Sequence, residues 1–305
     1  MKLTELDYLR ETYGSRLQEK TPLAKYTSAR IGGPADVSII SRSSADLAAI
    51  AMNLWDKGIK FIIIGGGSNL LISDKGMREL LIINRARESH IDDSGEQVRL
   101  IAESGTTMND LAQKASRTGL SGLEWAATIP GSLGGAIYGN AGAFGGEMAG
   151  NLISLDIISQ SSRYETWQVE KMEYGYRSSI LKKEHKPVVI LSASLGLVKS
   201  SPEVVKQKME SNFARRRSSQ PPGASMGSIF KNPPGDFAGR LIENSGLKGK
   251  RIGNAEISPI HANFIVNHGQ TLARDVLELI KIIQFEVERK FGIALELEIE
   301  LAGEW

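Results

Sequence analysis

The sequence contains no cysteine. Disulfides, thiolate metal sites and thiol nucleophiles are therefore excluded. It has four histidines, His90, His185, His261 and His268, none at metal-ligand spacing, so no metal is expected. Charge of one sign is also lacking: the net charge is +2 over 305 residues. With no basic run interleaved with aromatics, nothing points to nucleic acid. No stretch approaches the ~20 apolar residues that span a bilayer. Residues 1–10 carry Lys2, Glu5, Asp7 and Arg10 rather than the apolar core of a signal peptide. A soluble cytoplasmic protein without a membrane partner is the expectation. No Walker loop is present.

Glycine, by contrast, is concentrated. Seven glycines fall between Gly131 and Gly146, in a run that also carries Ile129, Leu133, Ile137, Tyr138 and Phe144. Glycine loses the most backbone freedom on folding, so such density needs a reason. One reading is a wall of backbone N–H groups around a large anionic cofactor. The other is a tight structural loop or a linker, although linkers are Gly/Ser-rich and polar. A second glycine cluster, Gly65-Gly-Gly-Ser-Asn69, follows the apolar Phe61-Ile-Ile-Ile64. A strand feeding a glycine turn can converge amides on a phosphate. Leu70 stands where the last glycine of a dinucleotide fingerprint would be, so a plain hairpin loop is the alternative.

At this length two or three domains are expected. Residues 1–26 read as a charged helical lead-in. Ser44 is a candidate cap for a helix to about Lys57, ended by Gly58, and Thr107 for one to about Arg117, ended by Gly119. Strands are expected at 61–64, 80–83, 98–103, 152–159, 164–169 and 187–198, with a polar turn between 159 and 164. Ser201-Pro-Glu-Val starts a helix to about Arg217, and a domain boundary is placed near 199. Arg215-Arg-Arg217 is either the basic end of that helix or a phosphate clamp. A short helix at 237–245 and strands within 252–267 follow. Thr271 is a candidate cap for a long helix to Gly292, with Leu272, Val276, Leu279, Ile280, Ile283, Val287 and Phe291 on one face. Alternation over 295–301 predicts a terminal strand with Glu296, Glu298 and Glu300 on one face.

Five segments occur in order: Ile64-Gly-Gly-Gly-Ser-Asn-Leu-Leu71, Ile129-Pro-Gly-Ser-Leu-Gly-Gly135, Tyr176-Arg-Ser178, Gly227-Ser-Ile-Phe-Lys-Asn-Pro233 and the terminal Glu-x-Glu strand. Together they resemble the UDP-N-acetylenolpyruvoylglucosamine reductase family, in its shorter subtype, across nearly the whole chain. The resemblance implies an α+β fold. A two-subdomain FAD-binding domain of the vanillyl-alcohol-oxidase/p-cresol-methylhydroxylase type would span 30–198, a substrate domain 199–305, and residues 1–29 would pack on the flavin domain. It further implies an NADPH-using flavoenzyme of peptidoglycan precursor synthesis. Such an enzyme reduces UDP-N-acetylglucosamine enolpyruvate to UDP-N-acetylmuramate. A monomer is expected. With no cysteine in the chain, and no histidine in 61–71 or 125–146, FAD is expected to be non-covalent.

The resemblance also assigns roles. Ile64, Gly65, Gly66, Gly67, Ser68, Asn69 and Leu70, together with Thr128, Pro130, Gly131, Ser132, Gly134, Gly135, Asn140, Gly142 and Arg216, would contact the cofactor. Arg177 would pair with the substrate carboxylate, Ser228 would give a proton to C2, and Glu298 would assist at the same carboxylate. Tyr176, Lys231, Asn232 and His261 would bind the remaining substrate. The sequence departs from the family at Ser219, where members often carry a lysine, and at Glu300, where they usually carry an arginine. Two other readings remain. A different flavin oxidase or dehydrogenase of this superfamily would not respond to a UDP-sugar, and a nucleotide-sugar-binding protein that has lost flavin would be colourless.

Overall fold

The computed structural model describes residues 3–161 and 163–305. Helices and strands are mixed along the chain, as the α+β class requires. Two compact units are present. A central unit comprises residues 39–66 and 81–216; a terminal unit comprises the described residues up to 38, then 67–80 and 217–305.

The central unit carries an antiparallel five-stranded sheet, ordered Tyr164–Gln168, Leu152–Ser159, Val188–Gly196, Arg99–Glu103, Ser89–Asp92. Period-two alternation turns Leu100, Ala102, Val189, Leu191, Ala193 and Leu195 inward. The helix Met108–Arg117 lays Leu111, Ala112 and Ala115 on this core. Each fully buried leucine there contributes about 1.5–3 kcal/mol. The Thr107 hydroxyl caps the helix by accepting from the Asp110 N–H at 3.1 Å, and Gly119, at φ +66°, turns the chain away. The polar turn expected before Tyr164 includes Ser162, which lies outside the described residues.

In a second sheet Phe61–Ile64 lies beside Leu80–Asn84. The neighbouring helix Ser44–Asp56 buries Leu47, Ile50, Ala51 and Leu54. Its cap is Ser43, not the expected Ser44: the Ser43 hydroxyl accepts from the Asp46 N–H. Ser44 is committed elsewhere, its hydroxyl to the Leu191 carbonyl and its N–H to the Glu103 carboxylate.

The terminal unit corrects three expectations. The lead-in is α-helical only over Leu3–Tyr13, and Gln18–Pro22 is a strand paired antiparallel with Pro34–Ser38. Met1 and Lys2 lie outside the described residues. The long helix is Ala273–Phe291, and it buries Val276, Leu279, Ile280, Ile283 and Val287, while Leu272 is exposed. Thr271 does not cap it. That hydroxyl is buried without a hydrogen-bond partner among the described residues, and the Asp74 carboxylate accepts from the N–H groups of Ala273 and Arg274 at 2.8 and 3.0 Å. At the end of the chain only Glu300–Ala302 is a strand, parallel to Leu70–Ile72. Residues 296–298 instead pair irregularly with 229–231, the Lys231 N–H donating to the Glu296 carbonyl and the Glu298 N–H to the Ile229 carbonyl, both at 2.9 Å. The alternation still buries Leu295 and Ile299. A three-stranded sheet, Arg251–Ile252, Ala255–Ile257 and Ile265–Asn267, and the helix Ala238–Asn244 complete this unit.

Candidate active site

In the central unit the two glycine clusters, far apart in sequence, meet backbone to backbone. A Cβ on Gly66 would sit 2.7 Å from the Gly131 Cα, and one on Gly65 would sit 2.0 Å from the Ser132 Oγ. Neither position has room for a side chain, which explains glycine there without invoking a ligand. The approach also leaves an open main-chain surface, because Gly66 remains exposed. Ile64, at the end of its strand, is buried beneath the loop. Arg85, which sequence reasoning missed, donates to the Gly65 carbonyl at 2.8 Å and ties the loop down. No sequence pattern marks it, because the contact depends on where two strands end.

Inside the glycine run lies a helix that sequence reasoning also missed, Leu133–Gly139. Three of its seven residues are glycine, among the weakest helix formers, and burial of Leu133, Ala136 and Ile137 overrides that propensity. Its first amides are not available to a ligand: the Leu133 and Gly134 N–H groups donate to the Thr106 and Ser104 carbonyls, both at 2.8 Å. Gly134 is thus a packing glycine, with Ser104 Cβ 3.1 Å from where its own Cβ would stand. Gly135 has more space, the Ser132 Oγ lying 3.7 Å from its would-be Cβ, and Pro130 is exposed. Asn140 ends the helix in the left-handed region, φ +46°, and is buried. Its side-chain amide is committed to protein, donating to the Gly175 carbonyl and accepting from the Ala149 N–H.

Arg177 is held against the same run. Its guanidinium donates to the carbonyls of Asn140 and Gly142, at 3.4 and 2.8 Å, and lies over the Tyr176 ring. Its backbone is left-handed, φ +54°. For a non-glycine residue that conformation costs on the order of 1–3 kcal/mol and persists only where the surroundings over-determine it. Ser179 and Tyr174 supply that framework by donating to the Tyr138 and Ile137 carbonyls. Tyr176 is half-exposed beside it. Arg216 donates to the Thr128 carbonyl, and burial lowers its pKa from the ordinary arginine value. The Thr128 Oγ1 is buried and has no hydrogen-bond partner among the described residues. An orphaned buried hydroxyl close in sequence to Gly131, whose Cα leaves no room for a Cβ on Gly66, fits a polar ligand lying along this surface.

In the terminal unit Gly67, at φ +56°, stands where a Cβ would lie 2.0 Å from the Tyr26 carbonyl. Ser68 is half-buried, and Leu70 pairs with Glu300. The Asn69 side chain donates to the Glu298 carbonyl at 3.0 Å, and the Asn69 carbonyl accepts from the Glu300 N–H. Asn69 therefore fixes the segment carrying Glu298. Ser228 pairs with Phe264 in an isolated antiparallel bridge, and the residue after it, Ile229, accepts from the Glu298 N–H. Two of the three predicted catalytic residues thus sit on adjoining extended segments.

Asn263, also missed, locks the Ser228 loop. Its side chain accepts from the Phe230 N–H at 3.0 Å and donates to the Phe230 carbonyl at 2.8 Å. Lys231 pairs with the largely exposed Glu296 at 3.1 Å, and the Asn232 side chain accepts from the Ala238 N–H. His261 packs on Phe264 with ring centroids 4.9 Å apart, accepts from the Asn263 N–H through Nδ1, and is driven below the usual histidine pKa by burial. Gly239 is glycine because its Cβ would meet that ring at 3.1 Å. Among the described residues no helix is long and apolar enough to cross a membrane, and no cluster of three or more metal-binding side chains is present.

Two family models match the chain. The UDP-N-acetylenolpyruvoylglucosamine reductase C-terminal domain matches residues 219–302, and an FAD binding domain matches 35–164. The UDP-N-acetylenolpyruvoylglucosamine reductase of Bacillus subtilis is 42% identical over 97% of this chain and 97% of its own length. That of Chloroflexus aggregans is 39% identical over 96% of this chain and 100% of its own length. The crystal structure of the Thermus caldophilus enzyme of the same name superposes with a TM-score of 0.78 at 36% identity, covering 92% of this chain and 97% of that one. Full-length identity at this level, with an FAD-binding domain beside the reductase C-terminal domain, makes this chain a member of the UDP-N-acetylenolpyruvoylglucosamine reductase family.

Proposed function

We propose that this protein reduces UDP-N-acetylglucosamine enolpyruvate to UDP-N-acetylmuramate with NADPH, through non-covalent FAD, in peptidoglycan precursor synthesis. The observation that carries the reading is the 42% identity, over 97% of both chains, to a protein named for that activity. The domain reading is a flavin-binding part over 30–198 and a substrate-binding part over 199–305. The protein acts as a monomer in the cytoplasm.

A flavin held at this surface would supply the hydride chemistry between NADPH and the vinyl carbon of the enol ether. The chain's own residues hold and protonate. The surface at Gly65, Gly66 and Gly131 meets the cofactor with main chain alone, and Thr128 offers it an unpaired hydroxyl. Arg177, its guanidinium oriented by two carbonyls, binds the substrate carboxylate, into which negative charge spreads as hydride arrives. Ser228 gives the proton to C2. A serine hydroxyl is a weak acid and serves only when aimed, and the Asn263 clamp on Phe230 supplies the rigidity. Glu298 meets the same carboxylate either protonated or through a water, because two bare carboxylates repel. Lys231 leaves its exposed Glu296 partner for the substrate diphosphate, with Asn232, Tyr176 and His261 lining the rest. Purified protein given NADPH and the enol ether should form one UDP-N-acetylmuramate for each NADPH consumed. NADPH loss without that product would sink the reading.

A further inference from the structure

Helix Pro202–Ser219 is polar over most of its length, yet one side is anchored in the central unit. Val205 and Met209 are buried there and Phe213 packs against them. Beside that stripe stand Lys208, Asn212 and Arg216, at four-residue steps that align them along one face. All three reach the short segment ahead of the glycine run, the 3₁₀ turn Glu124–Thr128. Lys208 Nζ lies 3.6 Å from the Glu124 carboxylate, the Asn212 side chain donates to the Glu124 carbonyl at 3.0 Å, and Arg216 donates to the Thr128 carbonyl. The Glu124 carboxylate is itself fixed, accepting from the Ser121 hydroxyl at 2.6 Å and the Gly122 N–H at 2.8 Å. One helix face therefore grips both ends of a five-residue turn. Three residues beyond that turn is Gly131, the partner of Gly66 in the closest approach of the two glycine loops.

We propose that Asn212 is a positioning residue for the flavin site, acting with Arg216. It holds the turn in register so that Gly131 keeps its close approach to Gly66 and Thr128 its place at the end of the turn. The inference rests on the flavin reading above. Docking for stability alone needs only the apolar stripe. The polar ladder adds a grip on the main chain of one segment, the segment that leads into the cofactor surface. Asn212→Leu keeps the side-chain shape and the helix but removes the donor, and Arg216→Lys shortens the second anchor.

The test is a double-mutant cycle on the FAD dissociation constant, read by quenching of flavin fluorescence on titrating apoprotein. Each single variant should bind FAD about tenfold more weakly, and the double variant by much less than the product of the two effects, because either loss releases the same turn. Multiplicative effects, or an Asn212→Leu that lowers Tm and leaves the FAD constant unchanged, would overturn the proposal. Hydrogen exchange in flavin-free protein gives a second arm. The amides of Ala126 and Ile129, bonded to the Leu123 and Ala126 carbonyls, should exchange faster in Asn212→Leu while the five-stranded sheet keeps its protection. Unchanged exchange at those amides would also overturn it. Failure of the wild-type protein to take up FAD would instead remove the flavin reading, and with it this role for Asn212.

Discussion

The glycine run of the central unit and the Ser228 loop of the terminal unit are held by different means. At Gly66 and Gly131 main chain packs on main chain, at Gly65 the Ser132 side chain takes the space of a Cβ, and the constraint at both Gly65 and Gly66 is the absence of a side chain. Around Ser228 the constraint is a side chain, because Asn263 pairs both the N–H and the carbonyl of Phe230, and Asn69 holds the carbonyl of Glu298. The first arrangement presents a smooth main-chain surface suited to a large ligand. The second fixes the main chain on either side of one residue, and so suits a residue that must be aimed.

The largest effect that would sharpen this contrast is Ser228→Ala. It should slow turnover of the enol ether by ~10²–10⁴-fold and leave flavin reduction by NADPH within a factor of about two, as read by stopped-flow absorbance of each half-reaction. Equal loss in both halves would break the division. Next is Asn263→Leu, which orphans two buried backbone groups at about 1–3 kcal/mol each. Its urea midpoint should fall and enol-ether turnover with it, while the FAD dissociation constant holds. Gly66→Ala reverses the pattern. It forces a Cβ to 2.7 Å from the Gly131 Cα, at about 1–3 kcal/mol of overpacking, and should weaken FAD binding strongly.

The smallest effect is in pH dependence. His261 has its folded pKa lowered by burial, so the unfolded chain binds its proton more readily. Its contribution is present above the ordinary histidine pKa and is lost as pH falls below about 6.5. Glu124 lies below the usual glutamate value: burial pushes it up, but the Ser121 hydroxyl, backbone amides and Lys208 together outweigh that. Its contribution is present above the usual glutamate pKa and is lost only at lower pH, as pH falls through the folded value. Stability against urea should therefore decline first over the histidine range, and His261→Gln should flatten that part of the curve. An unchanged slope would show that His261 does not carry it.

The same contrast explains which features are legible in the chain. Glycine demanded by close main-chain approach leaves a mark in the sequence, so both clusters stand out from composition alone. Alternation and helical spacing likewise mark the sheet strands at 152–159 and 188–196 and the stripe from Val276 to Val287. Side chains that act across long sequence separations leave no such mark. Asp74 caps a helix that starts almost two hundred residues later, and Asn263 clamps Phe230 thirty-three residues away. The helix Leu133–Gly139 is hidden because its glycines argue against it locally, and only tertiary burial forms it. The strand Gln18–Pro22 is hidden by its polarity, with only Thr21 buried. The roles proposed for Arg177, Ser228 and Glu298 rest on the family motifs. Periodicity alone would leave an exposed arginine, a loop serine and a strand glutamate.

The most direct test is an anaerobic titration watched in the visible spectrum. Protein reconstituted with FAD is bleached with one equivalent of NADPH, and UDP-N-acetylglucosamine enolpyruvate is then added without oxygen. The account predicts that the yellow returns in proportion to the enol ether added, with UDP-N-acetylmuramate formed in equal amount. Flavin that bleaches but regains its colour only on exposure to oxygen would contradict it.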